Sequence, residues 1–145
     1  MKAPRLLLAA VTVWLMAAGL AQAERLAVKA PKANVRVGPG TEHAVVWQAE
    51  RYYPVKVIER KGPWCRFEDF EGDRGWLHQS LLDKQETVVT KKNDSNLRAG
   101  PGTDHPVVMV VHAGVPFKVL RREGQWLRVE HADGETGWLA GSLVW

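Results

Sequence analysis

The residues from Trp126 to Glu130 show the clearest alternation of apolar and polar positions in this chain. Leu127 and Val129 fall on one face of the predicted strand, and the three residues around them fall on the other. This is the pattern of a strand with one buried face. Similar short runs recur between clusters of Gly, Pro, Asp and Asn, and no long stretch has the period of a helix. The pattern predicts an all-β chain of short strands joined by turns.

The same pattern of residues occurs twice along the chain. Residues 96–108 repeat residues 34–46 at a shift of 62 positions (96 − 34). That shift also places Gly75-Trp76-Leu77 on Gly137-Trp138-Leu139, and the register continues without a gap to residue 145. A repeat of this kind indicates two copies of one small folding unit.

Each copy is predicted to contain five strands, which in the first copy begin near Leu26, Val45, Val55, Trp64 and Gly75. In the second copy Asp133-Gly134 is predicted to form a two-residue type I′ hairpin turn. Five short strands with such close turns favour a small, partly orthogonal barrel that hides its sheet edges.

Residues 1–23 are predicted to be a cleavable export signal. Two basic residues precede an apolar run over residues 6–20, and Ala21-Gln22-Ala23 is a small-x-small cleavage site. The run is shorter than the roughly 20 residues that a membrane-spanning helix needs. We therefore expect an N-terminal signal helix rather than a stable membrane anchor, and an exported protein that is periplasmic, secreted or associated with the cell wall.

Two domains are predicted after the signal, at residues 24–84 and 87–145, with Lys84-Gln85-Glu86 as the linker. Units of about sixty residues are near the lower size limit for independent folding. The seven Trp residues of the chain offer the large apolar areas that such small units need.

The charge of the chain argues against nucleic acid as a ligand. The formal net charge is +4, and it falls to +2 once Lys2 and Arg5 of the signal are removed. Charges of both signs are interspersed, and no run of Lys or Arg exceeds two, whereas nucleic-acid binding leaves a basic stripe.

The sequence gives little support for catalysis, a metal or a cofactor. Cys65 is the single cysteine, and the repeat aligns it with Leu127, which favours a small buried core residue over a reactive thiol. The five His residues lack the short spacing of a structural metal site. Only His43 and His105 recur between the copies, and hydrogen-bonded turn histidines are favoured over ligand contacts there.

These residues resemble the bacterial SH3 family, often written SH3b. The motifs that carry the resemblance are Asn-x-Arg-x-Gly-Pro-Gly-Thr, a valine-rich strand, Trp-Leu-Arg-Val and the hairpin Asp-Gly-x-x-Gly-Trp-Leu, which run in this order from Asn96 to Val144. The first copy departs from the pattern at Pro63, Cys65 and Phe70. The resemblance implies two tandem small SH3-like β-barrels used as binding modules in an exported bacterial protein. Many such modules target peptidoglycan or its peptides.

Aromatic side chains are the candidate ligand contacts, because Trp and Tyr dominate binding hot spots and aromatic-lined grooves dock extended peptides. The candidates are Trp47, Tyr52, Tyr53, Trp64 and Trp126. The first three are replaced in the second copy by Met109, Gly114 and Val115, so the first copy is expected to carry more of any aromatic groove. Trp76 and Trp138, beside Gly75 and Gly137, are expected in the core, and packing stays an equal alternative for Trp64 and Trp126.

The repeated loop motif is made of Asn34, Arg36, Gly38 and Pro39 in the first copy and Asn96, Arg98, Gly100 and Pro101 in the second. Because Pro fixes φ and Gly tolerates positive φ, the segment is predicted to be an ordered loop. Arg36 could hold a ligand carboxylate through a bidentate fork. Its recurrence together with Glu68 favours an arginine that pins its own loop to that glutamate.

Two functions from different classes lead. The first is an exported, non-catalytic tandem module that binds cell-wall peptide. The second is a periplasmic adaptor that binds an extended or Pro-rich segment of another exported protein. A hydrolase built around Cys65 is the least favoured. The sequence carries no signal for an oligomeric state.

Overall fold

The structure is a computed structural model that describes residues 23–145. The predicted signal helix lies outside the described residues. Within them the chain forms 13 β-strands and two short 3-10 turns. No helix in the described part is long and apolar enough to cross a membrane.

The first unit is one antiparallel sheet of seven strands: β1 (Glu24–Val28), β2 (Lys32–Arg36), β3 (Val45–Glu50), β4 (Pro54–Lys61), β5 (Trp64–Glu68), β6 (Arg74–His78) and β7 (Leu82–Asp83). Their order across the sheet is β3-β2-β6-β5-β4-β1-β7. A 3-10 turn, Gln79–Leu81, joins β6 to β7.

The second unit is an antiparallel sheet of six strands: β8 (Thr87–Val89), β9 (Ser95–Arg98), β10 (Val107–Val111), β11 (Pro116–Glu123), β12 (Trp126–Glu130) and β13 (Thr136–Ala140). Their order is β10-β9-β13-β12-β11-β8. The 3-10 turn Gly141–Leu143 follows β13.

The shift of 62 residues holds in three dimensions. The bounds of β4, β5 and β6 become those of β11, β12 and β13 when 62 is added to each. The pairing of Val28 with Leu82 recurs as a bridge between Thr90 and Val144. The predicted all-β fold of two tandem SH3-like units is therefore confirmed.

Two local predictions are wrong. The segment from Asn34 to Arg36 is not loop but the end of β2, because Ala33 and Val35 point into the core and hold this segment against β3. The hairpin at Asp133-Gly134 is not a type I′ turn, which needs positive φ at both central residues. Only Gly134 has positive φ there, and His131 N–H donates to the carbonyl of Glu135 (2.8 Å) across a wider loop.

The longest strand of each unit, β4 or β11, bends around the core of that unit. The first part of β4 pairs with β1, and the second part pairs with β5. The register shifts between Val57 and Glu59, and the same irregularity recurs in β11 between Val119 and Arg121. A bulge of this kind bends a strand and increases its twist, so one strand can serve two sides of a small core.

Each unit has its own hydrophobic core. The first is built around Phe67, Leu77 and Val35, and it contains Cys65, which is 1% exposed. The second is built around Phe117, Leu97 and Leu139. The predicted core position of Cys65 is therefore confirmed.

Arg25 joins the two units. Its guanidinium donates to the carbonyls of Thr87 (3.1 Å) and Trp145 (2.8 Å) and lies 4.2 Å from the centroid of the Trp145 ring. Trp145 in turn packs against the first core. Partial burial lowers the pKa of Arg25, and the carboxylate of Glu86 opposes that effect. The guanidinium thus holds the end of the second unit on the surface of the first.

We expect Arg25→Ala to reduce the free energy of unfolding by about 1–3 kcal/mol, because two hydrogen bonds from a charged donor are lost. Urea unfolding followed by circular dichroism measures the change. Arg74→Ala is the control: its exposed pair with Glu68 (3.2 Å) should be worth only about 0–1 kcal/mol. Equal losses in the two variants would contradict the role given to Arg25.

Candidate ligand-binding grooves

The structure separates the candidate aromatic residues of the first unit. Trp47 and Tyr53 line one groove, and Trp64 lines another. Tyr52 occupies the turn between β3 and β4, and Trp126 holds in the second unit the strand position that Trp64 holds in the first. The grooves have different chemistry.

The Trp64 groove has a volume of about 250 Å³ and is lined by Lys32, Asn34, Arg36, Thr41, Trp64, His78, Ser80 and Leu81. The half-buried Trp64 ring meets the His78 ring edge to face, with centroids 5.3 Å apart. His78 Nδ1 accepts from the backbone N–H of Ser80 (3.2 Å). The Ser80 hydroxyl lies 2.7 Å from the same nitrogen, so Ser80 fixes the orientation of the imidazole beside the Trp64 ring.

Arg36 shapes one wall of the Trp64 groove. Its Nη1 donates to the carbonyls of Thr41 (3.0 Å) and His43 (2.9 Å), and Arg98 repeats this arrangement with Thr103 and His105. The arginine therefore pins its own loop. The predicted partner was wrong, however: Glu68 pairs with Arg74 instead, because backbone carbonyls of the loop satisfy Arg36.

The loop histidines explain the first glycine of the Gly-Pro-Gly motif. A Cβ on Gly38 would collide with the His43 imidazole, and a Cβ on Gly100 would collide with the ring of His105. His43 N–H also donates to the Gly40 carbonyl (3.3 Å). Glycine and histidine recur together in the two loops because the imidazole ring packs against the glycine backbone, where a Cβ would clash.

The Trp47 groove has a volume of about 290 Å³ and is lined by Trp47, Tyr53, Asp69, Phe70, Glu71, Asp73 and Gly114. The Trp47 and Tyr53 rings meet edge to face with centroids 5.1 Å apart. Gly114 comes from the second unit, and a Cβ built on it would lie 4.0 Å from the Phe70 ring. The groove therefore lies where the two units meet.

A buried carboxylate organises the Trp47 groove. Asp69 Oδ2 accepts from the Tyr53 hydroxyl (3.1 Å), and Oδ1 accepts from the backbone N–H groups of Glu71 and Asp73 (3.0 Å each). Both Tyr53 and Asp69 are only 7% exposed. Burial, followed by the negative charge of Asp69, raises the pKa of Tyr53 well above its usual range. The neutral hydroxyl is thus held as a donor to Asp69.

The second unit has a groove at the same place with different residues. It has a volume of about 250 Å³ and is lined mainly by apolar side chains, among them Met109, Val111, Val115 and Phe117. His131 replaces Asp69, and its Nδ1 lies 3.0 Å from Asp133 Oδ1. The backbone N–H of Glu135 and then His131 hold the pKa of Asp133 below its usual value.

Tyr52 carries backbone strain that its counterpart avoids. Its φ is +73°, and Gly114 at the same position of the second unit has a φ of +87°. A left-handed conformation costs a side chain other than glycine roughly 1–2 kcal/mol. The chain bears this cost in the turn that leads into the Trp47 groove.

Trp76 and Trp138 are buried, at 7% and 6% exposed, but they belong to neither hydrophobic core. Leu77 and Leu139 take the inward positions, so the neighbouring tryptophans face the outer side of the sheet. There Lys61 lies 5.9 Å from the Trp76 ring centroid, and Arg121 lies 5.2 Å from that of Trp138. Basic side chains cover the two rings. Gly75 makes room on the inner side, where a Cβ would overlap the Val35 side chain.

The buried thiol is poorly placed for nucleophilic chemistry. Burial raises the pKa of Cys65, although the Arg60 guanidinium near its Sγ (3.4 Å) opposes the effect. A reactive cysteine needs the opposite, a lowered pKa and access to solvent. Across residues 23–145 no group of three or more His, Cys, Asp or Glu side chains is arranged to hold a metal ion.

The fold and its loop motif define a class of protein. The chain matches the Bacterial SH3 domain family twice, over residues 29–84 and 91–145. The protein therefore belongs to the bacterial SH3 domain family, as the sequence motifs indicated, and carries two copies of the domain in tandem.

Cell-wall amidases are among the similar proteins. The chain is 24% identical over 122 residues to the putative N-acetylmuramoyl-L-alanine amidase YrvJ of Bacillus subtilis, covering 77% of this chain and 23% of that protein. It is 36% identical over 63 residues to the probable cell wall amidase LytH of Staphylococcus epidermidis, covering 43% of this chain and 22% of that protein. The chain thus spans less than a quarter of the length of these relatives.

Among solved structures, an NlpC/P60 family protein from Bacillus cereus aligns with a TM-score of 0.41 at 15% identity. The alignment covers 84% of this chain and 56% of that protein.

We expect stability to fall as the pH rises above about 10, the usual pKa of tyrosine. The unfolded chain ionises Tyr53 in that range while the folded chain keeps it neutral, so deprotonation favours unfolding. Tyr53→Phe should cost about 1 kcal/mol at neutral pH, through the lost hydrogen bond, and should lose less stability than the native chain at alkaline pH. Urea unfolding at neutral pH and at about pH 11 tests this, with Tyr52→Phe as control. The same alkaline loss in Tyr53→Phe and in the native chain would be contrary evidence.

The Cys65 thiol should not react with a disulfide reagent such as dithionitrobenzoate while the protein is folded, because it is buried and its pKa is raised. After unfolding in urea the thiol should react at the rate of a free cysteine. Absorbance of the released thiolate measures both rates. Rapid labelling of a chain that keeps its native circular dichroism would show that the thiol is accessible.

Proposed function

We propose that this protein is an exported, non-catalytic module that binds cell-wall peptide, with the Trp64 groove as its principal contact. A single observation carries the proposal: an aromatic face, an imidazole and two basic side chains meet in one groove. Trp64 and His78 supply the aromatic face and the imidazole, and Lys32 and Arg36 supply the positive charge.

These residue types suit a short peptide with carboxylate groups. An indole ring offers rigid contact area at a small cost in entropy, and Lys and Arg attract carboxylates. Peptides of the cell wall are short, extended and rich in carboxylates. The amidases that share this domain with the chain support the choice of the cell wall as the place of action.

The proposal assigns no reaction to the described residues. The thiol of Cys65 lies in the core of the first unit, where its raised pKa disfavours the thiolate that catalysis would need. Binding that positions a ligand or a partner enzyme at the wall fits the grooves better than turnover.

The test is co-sedimentation of the exported protein with purified peptidoglycan. The native protein should sediment with the wall material, and Trp64→Ala should weaken binding by roughly tenfold or more, as truncation of a hot-spot aromatic does. Trp126→Ala is the matched variant in the second unit. It should have the smaller effect, because the position equivalent to His78 is Ala140 there.

Sedimentation no greater than that of an albumin control would refute the proposal. If Trp126→Ala weakened binding as much as Trp64→Ala, the Trp64 groove would not be the principal contact.

One observation favours the second function, an adaptor for another exported protein. In the described part of the chain β10 lies at the edge of its sheet, and Val107, Val108, Met109 and Val110 are all more than two-fifths exposed. An exposed apolar edge strand can take up an extended peptide as an additional strand. Cross-linking of the native protein to one specific exported protein, without affinity for the wall, would favour this function over the first.

A further inference from the structure

The Trp47 groove is distinct from the Trp64 groove, and its charge has the opposite sign. Every charged residue that lines it is acidic: Asp69, Glu71 and Asp73. The remaining lining residues are three aromatic side chains and Gly114. Aromatic faces and carboxylates together attract organic cations.

Two of the three carboxylates are available to a ligand. Asp69 already accepts hydrogen bonds from the Tyr53 hydroxyl and two backbone N–H groups. Its carboxylate therefore stabilises the turn between β5 and β6. The side chains of Glu71 and Asp73 are exposed and form no ion pair with another described residue, whereas Glu24, Glu59, Glu68 and Glu86 each pair with an arginine. Asp69 thus positions two uncommitted negative charges at the rim of an aromatic groove.

The second unit shows what the same fold does without this chemistry. At the equivalent positions Met109, Val115 and Ala132 replace the three aromatic residues, and His131 replaces Asp69. Two carboxylates, Asp133 and Glu135, line that groove, and Asp133 lies against His131 (3.0 Å). The combination of a Trp ring, a Tyr ring and two exposed carboxylates is found in the groove of the first unit and not in that of the second.

We propose that the Trp47 groove binds the side-chain ammonium group of a peptide, such as that of a lysine or another diamino acid, between the aromatic rings and the carboxylates of Glu71 and Asp73. A metal ion is a poorer occupant, because no cluster of three ligating side chains within residues 23–145 is arranged to hold one. The inference deepens the proposed function and rests on it: a wall peptide that presents its carboxylates to the Trp64 groove would present an amino group to the Trp47 groove.

The experiment uses the exported protein and three capped pentapeptides that differ only in the central residue, which is lysine, Nε-acetyl-lysine or norleucine. Binding is measured by NMR titration, with the Trp47 indole N–H as a local probe. The lysine peptide should bind about tenfold more tightly than either neutral peptide, and raising the salt from about 0.05 M to 0.5 M should reduce that preference. Calcium chloride, compared at equal ionic strength, should not compete more than sodium chloride does.

The repeat supplies the matched control. Glu71→Gln with Asp73→Asn should remove the preference for lysine, whereas the equivalent pair Asp133→Asn with Glu135→Gln should change it by less than about twofold. Trp47→Met, which installs the residue of the second unit at the same position, should also weaken binding of the lysine peptide. This third variant keeps the test valid if the double variant fails to fold.

Equal binding of the lysine and acetyl-lysine peptides, no binding of any of the three, or equal loss in both double variants would overturn the inference. So would specific competition by calcium, which would indicate a metal site. A protein that sediments with the wall but does not prefer lysine would overturn this inference and leave the proposed function intact. A protein that prefers lysine but does not sediment with the wall would support this inference and refute the proposed function.

Discussion

The narrow interior of each unit limits what its strands can bury. A five-residue strand such as β5 or β12 has two inward positions, and every other side chain faces the opposite side of the sheet. In the first unit Val55 of β4 and Phe67 of β5 point into the core. At the equivalent positions of the second unit, Phe117 of β11 and Val129 of β12 do so. Each core therefore holds one phenylalanine and one valine there, in exchanged order, which conserves volume. Trp47 packs against the first core without being fully buried. Four other tryptophans face the opposite side of the sheet from the core: Trp64, Trp76, Trp126 and Trp138.

The tryptophan side chains are found in three kinds of surroundings. Basic side chains cover Trp76 and Trp138, and Trp145 is trapped between Arg25 and the first core. Trp47 and Trp64 remain half-buried in grooves. The two kinds of covered tryptophan support the fold and the contact between units. The half-buried ones are the residues that we propose to meet a ligand, and they lie in grooves of opposite charge.

The copies differ in chemistry around Trp47, whereas six of the eight residues that line the Trp64 groove recur in the second unit. The loop that Arg36 and Arg98 pin is the same in both units, down to its hydrogen bonds. The aromatic residues around Trp47 are replaced by non-aromatic ones in the second unit. The strained Tyr52 is replaced there by Gly114, which adopts a positive φ without strain. The two units therefore share the pinned loop and differ in the side chains around the Trp47 groove.

The repeat, the all-β class, most strand positions and the buried state of Cys65 could be predicted from the sequence, because alternation and turn residues act locally. Of the aromatic candidates, Trp47, Tyr53 and Trp64 line these two grooves, whereas Tyr52 and Trp126 do not, and Phe70 was not among the candidates. Only the tertiary structure showed that Trp47 and Trp64 belong to different grooves, that Asp69 organises one of them, and that Arg36 bonds carbonyls rather than Glu68. It also placed Asn34–Arg36 in a strand and the buried Trp76 on the opposite face of the sheet from Leu77. Each of these depends on which side chains distant strands bring together, and strand parity alone does not specify that pairing.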